Sequence, residues 1–191
     1  MAKYSVFMTD SIFPDTAIER NELGRADAEL TFSSAPDAET LIREGRDCDA
    51  MLVVYAQVDA NVINSLTRCK VIVRVGIGFN NVDLDAASKA GIFVANVPDY
   101  CLDEVADHTM ALVLSVVRRT CFLNSKVESG IWSIADAKPI PRLRGKVFGI
   151  FGCGAIGQQV GHRASAFGME VVGYDPYASK DAFSDNGIRQ I

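Results

Sequence analysis

The chain has 191 residues, of which 49% are hydrophobic and 23% charged, with a formal net charge of −5; this length leaves room for one large or two small packed domains. An acidic balance without a basic cluster argues against nucleic acid as a main partner, and no apolar run approaches membrane-spanning length. The opening MAKYSVFMTD lacks the charged and apolar regions of a secretory signal, and the five scattered cysteines form no CxxC pair, so a cytoplasmic protein with reduced thiols is expected.

In chain order, the first hundred residues alternate strand-like and helix-like pieces. Short apolar runs at Tyr4 to Met8, Glu29 to Phe32, Met51 to Tyr55, Val71 to Val75 and Ile92 to Ala95 read as strands. Pro14 to Leu23, Asp37 to Arg46, Asn61 to Leu66 and Leu84 to Ala90 read as helices, with Asp37 as an N-cap and Gly45 and Gly91 at helix ends. Such alternation predicts an α/β domain over residues 1–100, with a parallel sheet of the flavodoxin-like kind and helices on both faces. Ligands of such sheets gather beyond the carboxyl ends of the strands. There the fourth strand runs into Arg74-Val75-Gly76-Ile77-Gly78-Phe79-Asn80-Asn81. The arginine can grip a carboxylate with two hydrogen bonds, and the glycines let backbone N–H groups converge on an anion. A plain loop with a surface arginine fits the same spacing.

Asn96-Val97-Pro98-Asp99-Tyr100 reads as a hinge, followed by a helix from Leu102 to Arg119. Its apolar positions, including Val105, Met110, Leu112, Val113 and Val116, cover much of the circumference, so a buried helix between two domains is expected. Asp103, Glu104 and Asp107 suit the dipole at its start. The stretch Asn124 to Leu143, with the single tryptophan Trp132, is expected to be an irregular arm. His108 and His162 lie far apart in a chain without a metal-ligand pattern, so no metal is expected.

Residues 101–191 are read as the start of a Rossmann domain. Val147 to Phe151 forms a short apolar strand, and Gly152, Gly154 and Gly157 fall at the Gly-x-Gly-x-x-Gly spacing. The first glycine allows a tight turn, the second admits a pyrophosphate, and the third lets the next helix, Ala155 to Phe167, pack closely. Gly168 ends that helix. A strand from Met169 to Tyr174 then delivers Asp175, roughly 20 residues beyond the last glycine, where a carboxylate takes ribose hydroxyls and repels a 2′-phosphate. This predicts a dinucleotide site favouring NAD over NADP.

Four stretches together make the chain similar to a known family: VRVGIGFNNVDLDAASKAGIFVANVP from Val73, EVADHTMALVLSVVRR from Glu104, LRGKVFGIFGCGAIG from Leu143 and FGMEVVGYDPY from Phe167. It closely resembles the D-isomer-specific 2-hydroxyacid dehydrogenases, in particular the branch of the C-terminal-binding-protein corepressors, with phosphoglycerate dehydrogenase as a close cousin. The resemblance implies a substrate domain and a Rossmann domain flanking an active cleft, with hydride passing between nicotinamide and C2 of a 2-keto or 2-hydroxy acid. Carried over by position, Arg74 with the Val75-Gly76 backbone holds the substrate carboxylate. Gly152, Gly154, Ala155, Ile156 and Gly157 cradle the pyrophosphate, Asp175 binds the adenine ribose, and Val105 borders the nicotinamide. The family also implies a homodimer, with the long helix and the Trp132 arm at the contact.

In the family the catalytic arginine, glutamate and histidine lie downstream of the Asp175-Pro176-Tyr177 equivalent, so no catalytic residue is expected among these 191 residues. The sequence thus reads as the N-terminal part of a longer NAD-dependent enzyme, inactive alone, with another strand beginning near Ile191. An NAD-sensing, corepressor-like dimerisation module is the alternative.

Overall fold

The computed structural model describes residues 2–191. The chain divides into two compact units, residues 1–100 and 101–191. The first unit alternates five strands and four helices: β1 (Tyr4–Met8), α1 (Ala17–Arg25), β2 (Ala28–Phe32), α2 (Ala38–Gly45), β3 (Ala50–Val53), α3 (Ala60–Ser65), β4 (Val71–Arg74), α4 (Leu84–Lys89) and β5 (Phe93–Ala95). All neighbouring strands pair in parallel, in the order β2-β1-β3-β4-β5. This is the flavodoxin-like order, in which the strand sequence reverses between β1 and β3.

The starts of α2, α3 and α4 follow from side-chain acceptors. Asp37 accepts from the Thr40 N–H (3.0 Å), Asp59 from Asn61 and Val62 (2.9 and 3.0 Å), and Asp83 from Ala86 (2.9 Å); each satisfies orphan donors of a first turn, worth about 1 kcal/mol. Leu41, Met51, Val53, Val58, Ile63 and Ile72 fill the layer between sheet and helices and are fully buried. Two strands end earlier than their apolar runs suggest. Past β3, the N–H groups of Val54 and Tyr55 leave the ladder for the Asp10 carboxylate (3.1 and 2.7 Å), and past β4 the Gly76 N–H turns back onto the Arg74 carbonyl (2.9 Å).

The second unit begins with α5 (Leu102–Arg118) and α6 (Thr120–Glu128), passes a short 3-10 turn at Ala135–Ala137, and continues through β6 (Val147–Phe151), α7 (Ala155–Ala166), β7 (Glu170–Tyr174), α8 (Lys180–Ser184) and β8 (Arg189–Gln190). Its sheet is parallel in the order β6-β7-β8, which matches the 3-2-1 half of a Rossmann sheet. Ala106 and Met110 of α5 pack with Ile150 of β6, Val160 and Ala164 of α7, and Phe183 and Ile188. Arg163 clamps α7 to α5, with Nε on Asp107 (2.6 Å) and Nη2 on Asp103 (2.8 Å). Those two carboxylates therefore do more than face the helix dipole.

Two expectations need correction in this unit. The long helix is not buried around its circumference: Ala106 and Met110 are buried, whereas Leu112 is 56% and Val116 75% exposed. Beyond its first three turns Val113, Leu114 and Val117 are half-buried, and Val116 faces solvent. The stretch read as irregular from Asn124 is helical to Glu128, because Arg119, in the left-handed region (φ 57°), ends α5 and lets α6 start immediately. The sheet also has an open face. Ile150 points into the core, while Val147 and Phe151, on the alternate side of β6, stay exposed, Phe151 at 86%.

Candidate functional site

The switch point of the first sheet gathers one group of candidate residues. Asp10, just past β1, joins the carboxyl ends of β1 and β3 through the Val54 and Tyr55 amides, and Thr9 donates to it (2.6 Å). Burial pushes the Asp10 carboxyl up, but the Thr9, Tyr55, Val54 and Ala56 hydrogen bonds outweigh it and hold the group below its ordinary 3.8. A lowered folded-state pKa means that the stabilisation is complete above the unfolded value and is lost as pH falls below about 3.8 through the folded value. Thermal melts of wild type and Asp10→Asn between pH 7 and pH 3 test this. The variant is expected to be less stable at pH 7, and the gap is expected to narrow below pH 4.

Arg74 ends β4 beside this joint. Its guanidinium carbon lies 6.0 Å from the Tyr55 ring centre, and its Nε is buried without a hydrogen-bond partner. No carboxylate forms a salt bridge with it among the described residues. Gly76 lies directly under the guanidinium with φ 157°: a Cβ there would sit 1.4 Å from Arg74 Nη1, so a larger residue would displace the arginine tip. Arg74, Val75 and Gly76 thus share one wall, but the backbone expectation for Val75 and Gly76 needs correction. Their N–H groups donate inward, to Val53 O (2.8 Å) and Arg74 O (2.9 Å). The next two N–H groups, of Ile77 and Gly78, have no backbone acceptor among the described residues. Asn96 Nδ2 holds the Ile77 carbonyl (2.8 Å) and Asn81 Nδ2 holds the Ala56 carbonyl (2.9 Å), so the loop is tied at both ends.

The glycine turn of the second unit gathers a separate group. Gly152 has φ 93°, a conformation that favours glycine, and its N–H reaches Tyr174 O (2.9 Å). At Gly157 a Cβ would lie 2.1 Å from the Gly152 carbonyl oxygen, so only glycine lets α7 start against the turn. Around Gly154 the space a Cβ would fill is empty. No side chain caps α7, and the first intrahelical bond here runs from Gln158 N to Gly154 O. The N–H groups of Ala155, Ile156 and Gly157 therefore point out of the helix end unspent, as an anion site needs. This turn fits a dinucleotide pyrophosphate.

Asp175 closes on the same turn. Its Oδ2 accepts from Cys153 N (2.8 Å), and its Oδ1 from Tyr177 N (2.8 Å) and Ala178 N (3.1 Å). The Tyr177 and Cys153 bonds, with that of Ala178, hold its carboxyl below the ordinary range against the opposing push of desolvation. Three of about four lone-pair directions are thereby used, leaving one on Oδ2 for an outside donor. The structure brings Asp175 and the glycine turn together. Val105 lies in α5, its N–H bonded to Cys101 O (3.1 Å) and its carbonyl to Thr109 (2.8 Å), next to Ala106, which packs in the cluster that holds Cys153 and Ile156. His162 is tied to Asn186 (2.6 Å), which in turn bonds Gln158 (3.1 Å), a link that packs α7 on the α8 end. Sequence reasoning missed Asp10, although a Thr-Asp pair at the end of a first strand was visible. It could not see the burial of Arg74 Nε.

The family model described as D-isomer specific 2-hydroxyacid dehydrogenase, catalytic domain, matches residues 6–189. The D-3-phosphoglycerate dehydrogenase of Methanocaldococcus jannaschii is 35% identical over 187 residues, covering 97% of this chain and 35% of that protein. The enzyme of the same name from Rattus norvegicus is 36% identical over 156 residues, 80% of this chain and 29% of its own length. The chain thus spans about a third of the length of the curated relatives it matches. The solved D-lactate dehydrogenase of Aquifex aeolicus, complexed with NAD and lactic acid, superposes with a TM-score of 0.84 at 25% identity, over 98% of this chain and 55% of that one. With 2-1-3-4-5 and 3-2-1 parallel sheets, the glycine turn closed by Asp175, and a profile match across nearly its whole length, the chain belongs to the D-isomer specific 2-hydroxyacid dehydrogenase family.

Proposed function

We propose that this chain supplies the substrate-carboxylate anchor and the first half of the dinucleotide site of an NAD-dependent oxidoreductase acting at C2 of D-2-hydroxy or 2-keto acids. The observation that carries this reading is the uncapped start of α7 at Gly154, with Asp175 held to Cys153 N at 2.8 Å. Gly152, Gly154, Ala155, Ile156 and Gly157 hold the pyrophosphate through backbone N–H groups and the dipole end of α7. Asp175 takes one ribose hydroxyl on Oδ2, and its charge disfavours a 2′-phosphate. Val105 borders the nicotinamide. NAD, when bound, supplies the hydride acceptor and donor. Arg74 binds the carboxylate of the acid and fixes its orientation, assisted by the Ile77 and Gly78 N–H groups in place of those of Val75 and Gly76. His162 is occupied by Asn186, and no catalytic acid or base is assigned among these residues, so the 191-residue chain alone is expected not to turn over.

The exposed apolar surface of α5 and the Trp132 arm supports a homodimer, and the five free thiols support a cytoplasmic protein. The test of the reaction is NADH oxidation by the protein made from its complete reading frame, across a panel of 2-keto acids. Stimulation by at least one member supports the reading. A complete lack of stimulation, with NADH nonetheless bound, contradicts it.

A further inference from the structure

Given the reading of Arg74 as a keto-acid anchor, on which this inference rests, we propose that the site selects monoanionic 2-keto acids with a large apolar side chain over phosphorylated ones. A cavity of about 250 Å³ opens at the switch point of the first sheet, next to Arg74 and Gly76. Its other walls are apolar or aromatic: Ile12 and Phe13 after β1, Tyr55 after β3, and Val97 and Tyr100 after β5. Among the described residues Arg74 is the single charged side chain lining it. The adjoining hollow past Arg74 is lined by Gln57, Gly78, Asn80 and Asn81 and adds no cation. Asn81 Nδ2 is moreover turned inward, onto Val54 O and Ala56 O. Asp10, two residues before Ile12, spends its oxygens on Thr9, Val54 and Tyr55.

One guanidinium balances one carboxylate. A phosphate group would add roughly −1.5 to −2 more charge, and this wall offers it aromatic and aliphatic surface, where unpaired charge is costly. An apolar side chain instead covers Ile12, Phe13 and Tyr55, which are now exposed to solvent, and gains with the area removed from water.

The test is titration of the isotope-labelled 191-residue chain, followed by amide NMR, with phenylpyruvate, pyruvate and 3-phosphohydroxypyruvate. Phenylpyruvate is expected to shift the Phe13, Tyr55 and Gly76 amides with a Kd at least about 10-fold below that of 3-phosphohydroxypyruvate. Phe13→Ala, in an exposed loop, is expected to shrink the phenylpyruvate-to-pyruvate preference by roughly 10-fold, with its own spectrum reporting that the fold is kept. Tighter binding of the phosphorylated acid, still lost in Arg74→Gln, overturns the apolar selection and leaves the anchor standing. Binding of none of the three acids, or binding indifferent to Arg74→Gln, overturns the anchor reading as well.

Discussion

Gly157→Ala is expected to destabilise the second unit by about 3 kcal/mol, whereas Gly154→Ala, three residues away in the same turn, is expected to leave stability within about 0.5 kcal/mol. The difference lies in what each new Cβ meets. At Gly157 it would overlap the Gly152 carbonyl oxygen, 2.1 Å away, and backbone cannot swing aside as a side-chain tip can. At Gly154 nothing lies within 4 Å, and φ −72° suits any residue. For a unit of this size the Gly157 change corresponds to a melting temperature lower by roughly 15 °C. The proposed function adds an opposite ranking for Gly154. Its methyl group would stand in the space left for phosphate, so the stable variant is expected to lose NADH affinity by about 10-fold or more. Melting curves and NADH titrations of the two variants check both halves. Equal stability of the variants would contradict the packing argument.

Arg74→Met is expected to separate binding from stability in the opposite sense. The Nε of Arg74 is buried without a partner, and removing an unsatisfied buried donor recovers about 1–3 kcal/mol. The first unit is therefore expected to gain about 1 kcal/mol after the loss of the stack on Tyr55 is counted. Anion affinity is expected to fall at least about 100-fold, since a two-pronged, charge-assisted contact disappears. Arg74→Lys is not expected to restore it, because a point charge on a flexible stem lacks the planar fork. A less stable Arg74→Met protein with intact keto-acid binding would show that Arg74 is a structural residue. Such a trade between stability and binding is what a site residue held ready for an absent partner should show.

Much of this was legible from local pattern. The first five apolar runs became strands in alternation with helices, and the caps of α2 and α4 are encoded beside them at Asp37 and Asp83. Parallel alternation then leaves few sheet orders open. The glycine turn was legible for the same reason: tight turn, close approach and packing each demand glycine at a defined spacing, and Gly152 and Gly157 meet those demands. What stayed hidden depends on residues distant in the chain. The early end of β3 is set by Asp10, more than 40 residues before it, and the clamp on Asp103 and Asp107 by Arg163 on another helix. The break at Arg119 was equally hidden, since a left-handed arginine carries no sequence signature and the apolar pattern runs on through it. The inward N–H groups of Val75 and Gly76 follow from the turn geometry after β4, which residue types alone do not specify.

The most direct test of the central claim is amide NMR of the 191-residue chain titrated with NADH and, separately, with NADPH. NADH is expected to perturb Gly152, Gly154, Ala155, Ile156 and Asp175, weakly but saturably, with NADPH at least about 10-fold weaker because of the charge on Asp175. No perturbation of the glycine turn, or NADPH binding as tightly as NADH, would contradict the account.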